Sequence, residues 1–390
     1  VSVEVVSLGC RLNLTESAAI RALLADETDV VVVNSCAVTA EAVRQTRQAI
    51  RRARRERPAA RLLVTGCAAE VEREVLAAMP EVDGLVPNAR KLDPRAWNVA
   101  PGTAPPPPRH TRAFIAVQTG CDHACTFCVI PQGRGRSRSL GVSEVLHETE
   151  RHLAQGAAEV VLTGVDVTSW GSDLSGTPRL GRLVRAILEA FPALRRLRLS
   201  SLDGVEIDGE LIDLLAGETR IMPHIHLSLQ HGNDLILKRM KRRHSRRQAT
   251  ELVESLRRQR PEIAVGADLI AGFPTEDEAA HADNRSLIRE LGIVHGHVFP
   301  YSPRPDTPAA RMPQLDKPVI RRRAAELRAE AAAVRAEWLD SLVGQELSVL
   351  AEAGGTGHAA NFAPVAVPPG TLRGAIVTAI PRTIELGVLR

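Results

Sequence analysis

FIAVQTGCDHACTFC, residues 114–128, is a short apolar run that breaks at Gly120 into three cysteines spaced C-x3-C-x2-C. The apolar part suits a buried strand, which puts Cys121, Cys125 and Cys128 in the loop just beyond its end. A structural zinc site normally takes four protein ligands and tends to use paired C-x2-C elements. No fourth cysteine is near, although His123 could complete such a site. Cubane iron–sulfur clusters are usually held by four thiolates. Held by three, one iron lacks a protein ligand and stays open for chemistry. The spacing favours that reading.

Working outward, the strand–helix alternation continues downstream of this loop. Candidate strands are residues 114–118, 160–163, 197–200, 225–229, 265–270 and 294–299, with helices such as 142–155, 180–190 and 246–259 between them. A turn-rich stretch, 300–313, closes the region. Six βα units can wrap into a partial barrel, whose site lies at the carboxyl ends of the strands. Polar and glycine residues gather there: Thr163, Gly164, Ser200, Ser201, Ser228, Gln230, Asp268, Gly272, Tyr301 and Ser302.

Upstream, β-branched runs at 3–8, 30–33 and 62–65 suit buried parallel strands, with helices expected over 15–24, 40–57 and 70–79. Thr15 and Thr39 are candidate N-caps. Each strand is followed at once by a cysteine: Gly9-Cys10, Ser35-Cys36 and Gly66-Cys67. One such cysteine alone is most often a core residue. Three at successive strand ends converge on one edge of an open parallel sheet, where ligands bind. A second metal cluster on Cys10, Cys36 and Cys67 is the reading that explains all three.

The chain is therefore expected to be α/β. An N-terminal open parallel sheet domain covers 1–100, a proline-rich linker 101–109, and a central partial barrel 110–316. A connecting helix follows over 317–343, and a small β-barrel over 344–390. The linker contains four consecutive prolines, which form a stiff, extended spacer. The last domain is read from short apolar runs at 347–351, 359–367, 375–380 and 384–389.

With 390 residues and 44% hydrophobic content, two or three packed domains are expected. Aromatics are only 3%, so any nucleic-acid contact must lean on charge more than on stacking. The net charge of +4 decides little, but arginines crowd at 44–57, 238–247 and 321–323. Solvated helix faces explain such runs most simply; a polyanion partner is the other reading. No apolar stretch is long enough to span a bilayer, and the first residues open directly into a strand. A cytoplasmic location, with no membrane partner, is expected, and a reducing compartment favours metal binding over disulfides.

The cysteine loop with Phe127, at the first strand of a six-unit partial barrel, resembles the radical S-adenosylmethionine superfamily. Over nearly the whole chain the resemblance narrows to its methylthiotransferases. LGCRLNLTES (8–17), VNSCAVT (33–39) and VTGC (64–67) are similar to that family's cluster-binding segments. So are 120–131, LTG (162–164), HLSLQ (226–230) and GFPTE (272–276) in the barrel. The C-terminal module resembles the RNA-binding TRAM domain. Residues 31–55 and 297–308 look most like the branch acting on threonylcarbamoyladenosine in tRNA. Two other branches act on isopentenylated tRNA adenosine and on a ribosomal-protein aspartate. Trp170-Gly171 stands where tyrosine–glycine is common, and Phe362 is the only aromatic in the terminal module.

The resemblance implies two [4Fe-4S] clusters and S-adenosyl-L-methionine. The cluster on Cys121, Cys125 and Cys128 would start radical chemistry, and the one on Cys10, Cys36 and Cys67 would deliver sulfur to adenine C2. It also implies cofactor contacts from Phe127, Thr163, Gly164, Ser228, Gln230 and Asp268; strand-end capping is the structural alternative for the last three. Arg136 or Arg138 could pair with the cofactor carboxylate, or simply be solvated. Expected partners are the tRNA anticodon arm, held through phosphates by residues 44–57 and 238–247, and an electron donor such as a flavodoxin or ferredoxin. A monomer is expected. A cluster-bearing RNA-binding redox sensor is the non-enzymatic alternative.

Overall fold

The computed structural model describes residues 3–100 and 111–390, so the linker expected over 101–109 lies outside the described residues. The chain divides into two compact units. The first comprises Val1–Pro108, Gln118–Arg138 and Ser302–Arg311; the second Arg109–Val117, Ser139–Tyr301 and Met312–Arg390.

In the first unit, β1 (Glu4–Ser7), β2 (Val30–Ser35), β3 (Arg61–Gly66) and β4 (Gly84–Leu85) form a parallel sheet in that order. Every residue of β2 is buried, as its unbroken valine run demands for a central parallel strand. Helix α1 (Arg11–Leu23) starts earlier than expected, with Cys10 in the cap position. Thr15 is no cap: it lies inside the helix and its hydroxyl donates to the Arg11 carbonyl at 3.2 Å. The strand ends so close to the cysteine that the helix begins at once. Thr39 does cap α2 (Ala40–Glu56), accepting from the Ala42 amide at 3.1 Å. The helix expected over 70–79 is two short ones, α3 (Cys67–Val71) and α4 (Arg73–Ala77), broken at Glu72. There the carboxylate is drawn to Arg47 and Arg304. The dipeptide strand β4 was too short to read from the sequence. The loop segment 118–138 ends in a short helix, α5 (Ile130–Arg134).

The second unit holds six parallel strands: β5 (Arg112–Ala116), β6 (Glu159–Thr163), β7 (Leu197–Leu199), β8 (His224–Gln230), β9 (Ala264–Ala271) and β10 (Ile293–Pro300). They pair as β5-β6-β7 and β8-β9-β10, and a bridge from Leu202 to Leu227 links the halves. Helices α6 (Val142–Ala154), α7 (Leu180–Ala190), α8 (Gly209–Gly217), α9 (Asp234–Arg239), α10 (Arg246–Gln259) and α11 (Glu278–Glu290) cover the outside. Buried Val160, Leu162, Leu183, Ile187, Leu227, Leu269 and Ile288 belong to one core beneath them. The long helix α12 (Lys317–Ser341) packs along β10 and donates to its edge carbonyls, Arg335 to Val294 and Arg328 to Val298. The free edge of the open barrel is thereby covered.

Six short strands complete this unit: β11 (Leu347–Ala351), β12 (Thr356–Ala359), β13 (Pro364–Ala366), β14 (Ile376–Ala379), β15 (Ile384–Glu385) and β16 (Val388–Leu389), in the order β14-β11-β12-β13-β16-β15. The runs expected as single strands over 359–367 and 384–389 each contain a turn. Phe362 and Leu386 have positive φ, which ends a strand. This small sheet seats against the amino ends of the barrel strands: Arg196 donates to the Ser348 carbonyl at 2.6 Å and Arg198 to that of Ala359 at 3.1 Å.

Candidate functional site

Cys10, Cys36 and Cys67 are free thiols at the carboxyl ends of β1, β2 and β3. Two glycines let the chain turn there. Gly9 and Gly66 both sit at φ +93°. A Cβ on Gly9 would stand 2.8 Å from the Cys36 sulfur, and one on Gly66 2.4 Å from the Ser35 carbonyl oxygen. Only glycine fits either position, and the approach of Gly9 to Cys36 brings the first two cysteine segments together. The third lies at the next strand end, where Ser35 and Gly66 are register partners. The Cys36 thiol is pushed up by burial first, and then by neighbouring Cys67 and Cys10, against a backbone hydrogen bond from Val38. Burial likewise pushes the Cys67 thiol up, with Arg134 and Lys91 acting the other way. Three soft sulfur donors so gathered suit an iron–sulfur cluster, whose binding would release their protons.

Helix α1 turns a polar face toward this cluster of thiols. Asn13, Glu16 and Ser17 are all buried. Asn13 donates to the Leu8 and Ser35 carbonyls at 2.7 and 3.0 Å, tying together the ends of β1 and β2. Asn34 donates to the Asn13 carbonyl and to the Ser17 hydroxyl, each at 3.0 Å. Beside them Glu16 accepts from two cations, Arg134 and Lys91.

Cys121, Cys125 and Cys128 are half-buried in a loop stabilised from within. The amide of His123 donates to the Cys121 sulfur and that of Ile130 to the Cys128 sulfur, both at 3.4 Å. The Cys128 amide donates to the Cys125 carbonyl at 3.2 Å, and that of Cys121 to Gly135 at 3.1 Å. Gln118 clamps the loop's start, donating to the Gly120 carbonyl at 2.8 Å, and Ala309 donates to the Thr126 carbonyl at 2.9 Å. Amides directed at sulfur stabilise a thiolate donor set, and three thiolates with an open fourth corner suit the same kind of cluster. Phe127 is half-buried among them. Arg136 is exposed and pairs with Asp122 at 3.2 Å, and Arg138 is also exposed.

In the second unit, Thr163 ends β6, where its carbonyl accepts from Val117 at 2.9 Å, and Gly164 follows. Ser228 and Gln230 alternate with His226 along β8, and Gln230 leaves the strand with φ +68°. Asp268 on β9 accepts from His226 at 3.0 Å and pairs with His297 at 3.1 Å, while Ser201 lies 3.4 Å from its other oxygen. Burial alone would raise the Asp268 carboxyl; its hydrogen bonds to His226 and His297 outweigh that and hold it below the usual carboxylate range. The sequence reading assigned no role to either histidine. Their alternation with Ser228 and Gln230, and with His295, was the available signal. Trp170 is buried and donates to the Leu140 carbonyl at 2.9 Å.

The basic runs are largely engaged within the fold. On α2, Arg44, Arg47, Arg51, Arg52 and Arg54, and just beyond its end Arg57, pair with Glu41, Glu72, Glu81, Glu56, Asp83 and Asp29. Arg242 and Arg243 share Asp203, and Arg246 pairs with Glu290. Arg55, Lys238 and Lys241 are exposed. Phe362 is also engaged: it stacks on His358 and His224, at 4.6 and 5.2 Å. No helix among the described residues is long and apolar enough to cross a membrane.

Comparison with known proteins bears on most of the chain. The Radical SAM superfamily matches residues 115–285, and a group described as uncharacterized protein family UPF0004 matches 2–87. The Threonylcarbamoyladenosine tRNA methylthiotransferase MtaB of Rickettsia prowazekii is 43% identical over 93% of this chain and 90% of its own. The MtaB of Aquifex aeolicus is 34% identical over 88% and 91%. The tRNA-2-methylthio-N(6)-dimethylallyladenosine synthase of Paracoccus denitrificans is 33% identical over 88% and 84%. Among solved structures, the radical S-adenosylmethionine methyltransferase TsrM from Kitasatospora setae shares the fold, with a TM-score of 0.52 at 17% identity over 72% of this chain and 66% of its own. The extent and level of these likenesses settle the matter: this chain is an enzyme of the radical S-adenosylmethionine methylthiotransferase family, most like its threonylcarbamoyladenosine branch.

Proposed function

We propose that the protein converts N6-threonylcarbamoyladenosine at nucleotide 37, beside the tRNA anticodon, to its 2-methylthio derivative. The observation that carries this reading is the convergence of Cys10, Cys36 and Cys67 at one edge of a parallel sheet, in a chain that also bears the Cys121–Cys128 loop. Support for the substrate comes from relatives named for that nucleoside, the strongest at 43% identity.

Cys121, Cys125 and Cys128 would hold one [4Fe-4S] cluster and Cys10, Cys36 and Cys67 another, each with an iron free of protein ligands. When bound, these groups supply the electron that cleaves S-adenosylmethionine and the sulfur that is inserted, chemistry no acid–base side chain performs at an unactivated C–H bond. The chain's own part is positional. Amides of His123 and Ile130 stabilise the first thiolate set, and Asn13 fixes the ends of β1 and β2 for the second. Phe127, Thr163, Gly164, Ser228, Gln230 and Asp268 remain the candidates for cofactor contact. Arg136, paired with Asp122, would have to exchange that partner to reach a cofactor carboxylate. The target adenine must leave its stack to be reached. With most of the arginine runs already ion-paired, exposed Arg55, Lys238 and Lys241 are the cations we assign to tRNA phosphates. A flavodoxin or ferredoxin would supply electrons to this monomeric, cytoplasmic enzyme.

Nucleoside analysis of tRNA by liquid chromatography–mass spectrometry, with and without the gene, tests the reading. The expected result is loss of 2-methylthio-N6-threonylcarbamoyladenosine with accumulation of its unmethylthiolated precursor. Loss of the isopentenyl derivative instead would move the protein to the other tRNA branch. Unchanged methylthio nucleosides would reject the RNA substrate altogether.

A further inference from the structure

Arg134 belongs to the segment that carries Cys121, Cys125 and Cys128, six residues beyond the last of them. Its side chain is nonetheless only 3% exposed and turns to α1. One terminal nitrogen donates to Glu16 Oε1 at 2.8 Å; the other donates to Glu16 Oε2 at 3.0 Å and to Asn13 Oδ1 at 2.6 Å. Lys91, equally buried, also binds Glu16 Oε2. Next to it Asn88 donates to the Gly133 carbonyl and lies 3.9 Å from the Cys67 sulfur. A Cβ on Gly133 would stand 3.1 Å from that of Cys67. The segment bearing one cysteine triad is thus anchored directly on the other.

The charge count does not close within this group. Two cations share one carboxylate, all nearly inaccessible to water, and a buried unpaired charge is costly. An oxidised cubane on the adjacent thiolates of Cys10, Cys36 and Cys67 would carry one net negative charge and so supply the missing counter-charge. A fixed positive excess beside such a cluster favours its more negative, reduced form and raises its potential.

We propose that Arg134 and Lys91, held together by Glu16, are positioning residues that set the charge balance of the Cys10/Cys36/Cys67 cluster and pin the Cys121–Cys128 segment to it. This rests on the second cluster named above. The test is an EPR-monitored redox titration of the anaerobically reconstituted full chain, with Cys121, Cys125 and Cys128 changed to Ala so that a single cluster is read. Expected are a lower midpoint potential in Arg134→Gln and in Lys91→Gln, a higher one in Glu16→Gln, and a near-parental value in Arg134→Lys. Unmoved potentials in a fully loaded protein, or shifts of the same sign in Arg134→Gln and Glu16→Gln, would overturn the role of these residues alone. A background protein that takes up no iron would instead overturn the second cluster, and the proposal with it. If Arg134→Gln does not fold, the isosteric Glu16→Gln and the conservative Arg134→Lys still decide. The first must raise the potential and the second must leave it.

Discussion

Arg198 holds its guanidinium 4.9 Å above the ring of Phe362, which joins the small C-terminal sheet to the amino ends of the barrel strands. Arg112 approaches the same ring at 5.2 Å, and His358 and His224 stack against it. Phe362 adopts φ +72°, a strained conformation for an aromatic residue, so these contacts must outweigh the strain. Phe362→Ala is expected to lower unfolding free energy by about 2–3 kcal/mol, from lost burial and cation–π attraction. Urea titration checks it. Because the ring is engaged internally, the loss should fall on stability rather than on RNA stacking.

Glu159, fully buried, pairs with the same two arginines, Arg112 at 2.7 Å and Arg198 at 2.8 Å, and with Arg196 at 3.8 Å. Burial pushes the Arg196 guanidinium down to about 10, against the pull of Glu159. Glu159→Gln removes the carboxylate and leaves the arginines facing one another. A cost of about 3–5 kcal/mol is expected, as for breaking a buried pair from one side. An unfolding free energy within ~0.5 kcal/mol of wild type would refute this account.

His295 gives a pH dependence of known sign. Its Nδ1 faces the guanidinium of Arg335 at 2.8 Å, so it accepts a hydrogen bond only while neutral. Burial first, then Arg335, push the imidazole down to about 3. The unfolded chain, with a histidine value near ~6.5, binds the proton more readily. Stability is therefore unaffected above that value and falls as pH drops from it toward 3, by up to ~1.4 kcal/mol per pH unit from this residue. His295→Gln should flatten the fall between pH 6.5 and 5.5. An identical slope in the variant counts against the assignment.

Division of labour between the triads predicts unequal cysteine phenotypes. Cys125→Ala should abolish 5′-deoxyadenosine formation from S-adenosylmethionine. Cys36→Ala should retain that cleavage and lose sulfur insertion into tRNA. Equal loss of cleavage in both variants contradicts the division.

Arg54 and Arg55 are adjacent on α2 and should behave differently. Arg54 donates to the carbonyls of Pro58, Ala60 and Glu81 and to Asp83. Arg54→Ala should cost about 2 kcal/mol of stability through lost charge-assisted hydrogen bonds. Exposed Arg55→Ala should leave stability within ~0.5 kcal/mol. Its effect is instead expected on the salt dependence of tRNA binding, lowering the log–log slope by about one.

Spacing and local chemistry made much of this protein legible in its sequence. The three N-terminal strands, the six barrel strands and the helices Leu180–Ala190 and Arg246–Gln259 follow from apolar runs whose period is a local property. Cysteines placed at three strand ends make Cys10, Cys36 and Cys67 legible as a set, because a parallel sheet delivers all its strand ends to one edge. Cys121, Cys125 and Cys128 are legible from their spacing within one loop. Long-range pairing was beyond reach. Whether an arginine faces solvent, a carboxylate or a cluster depends on residues far off in the chain. Arg134 meets Glu16 across 118 positions and Arg198 meets Phe362 across a longer stretch still. Hence the arginine runs read as one feature divided into ion-paired and exposed members only once folded. The buried Glu16–Arg134–Lys91 group had no trace in composition or period. Burial is what turns three ordinary surface-type residues into a water-excluded, mutually paired group, and burial is decided by tertiary packing alone.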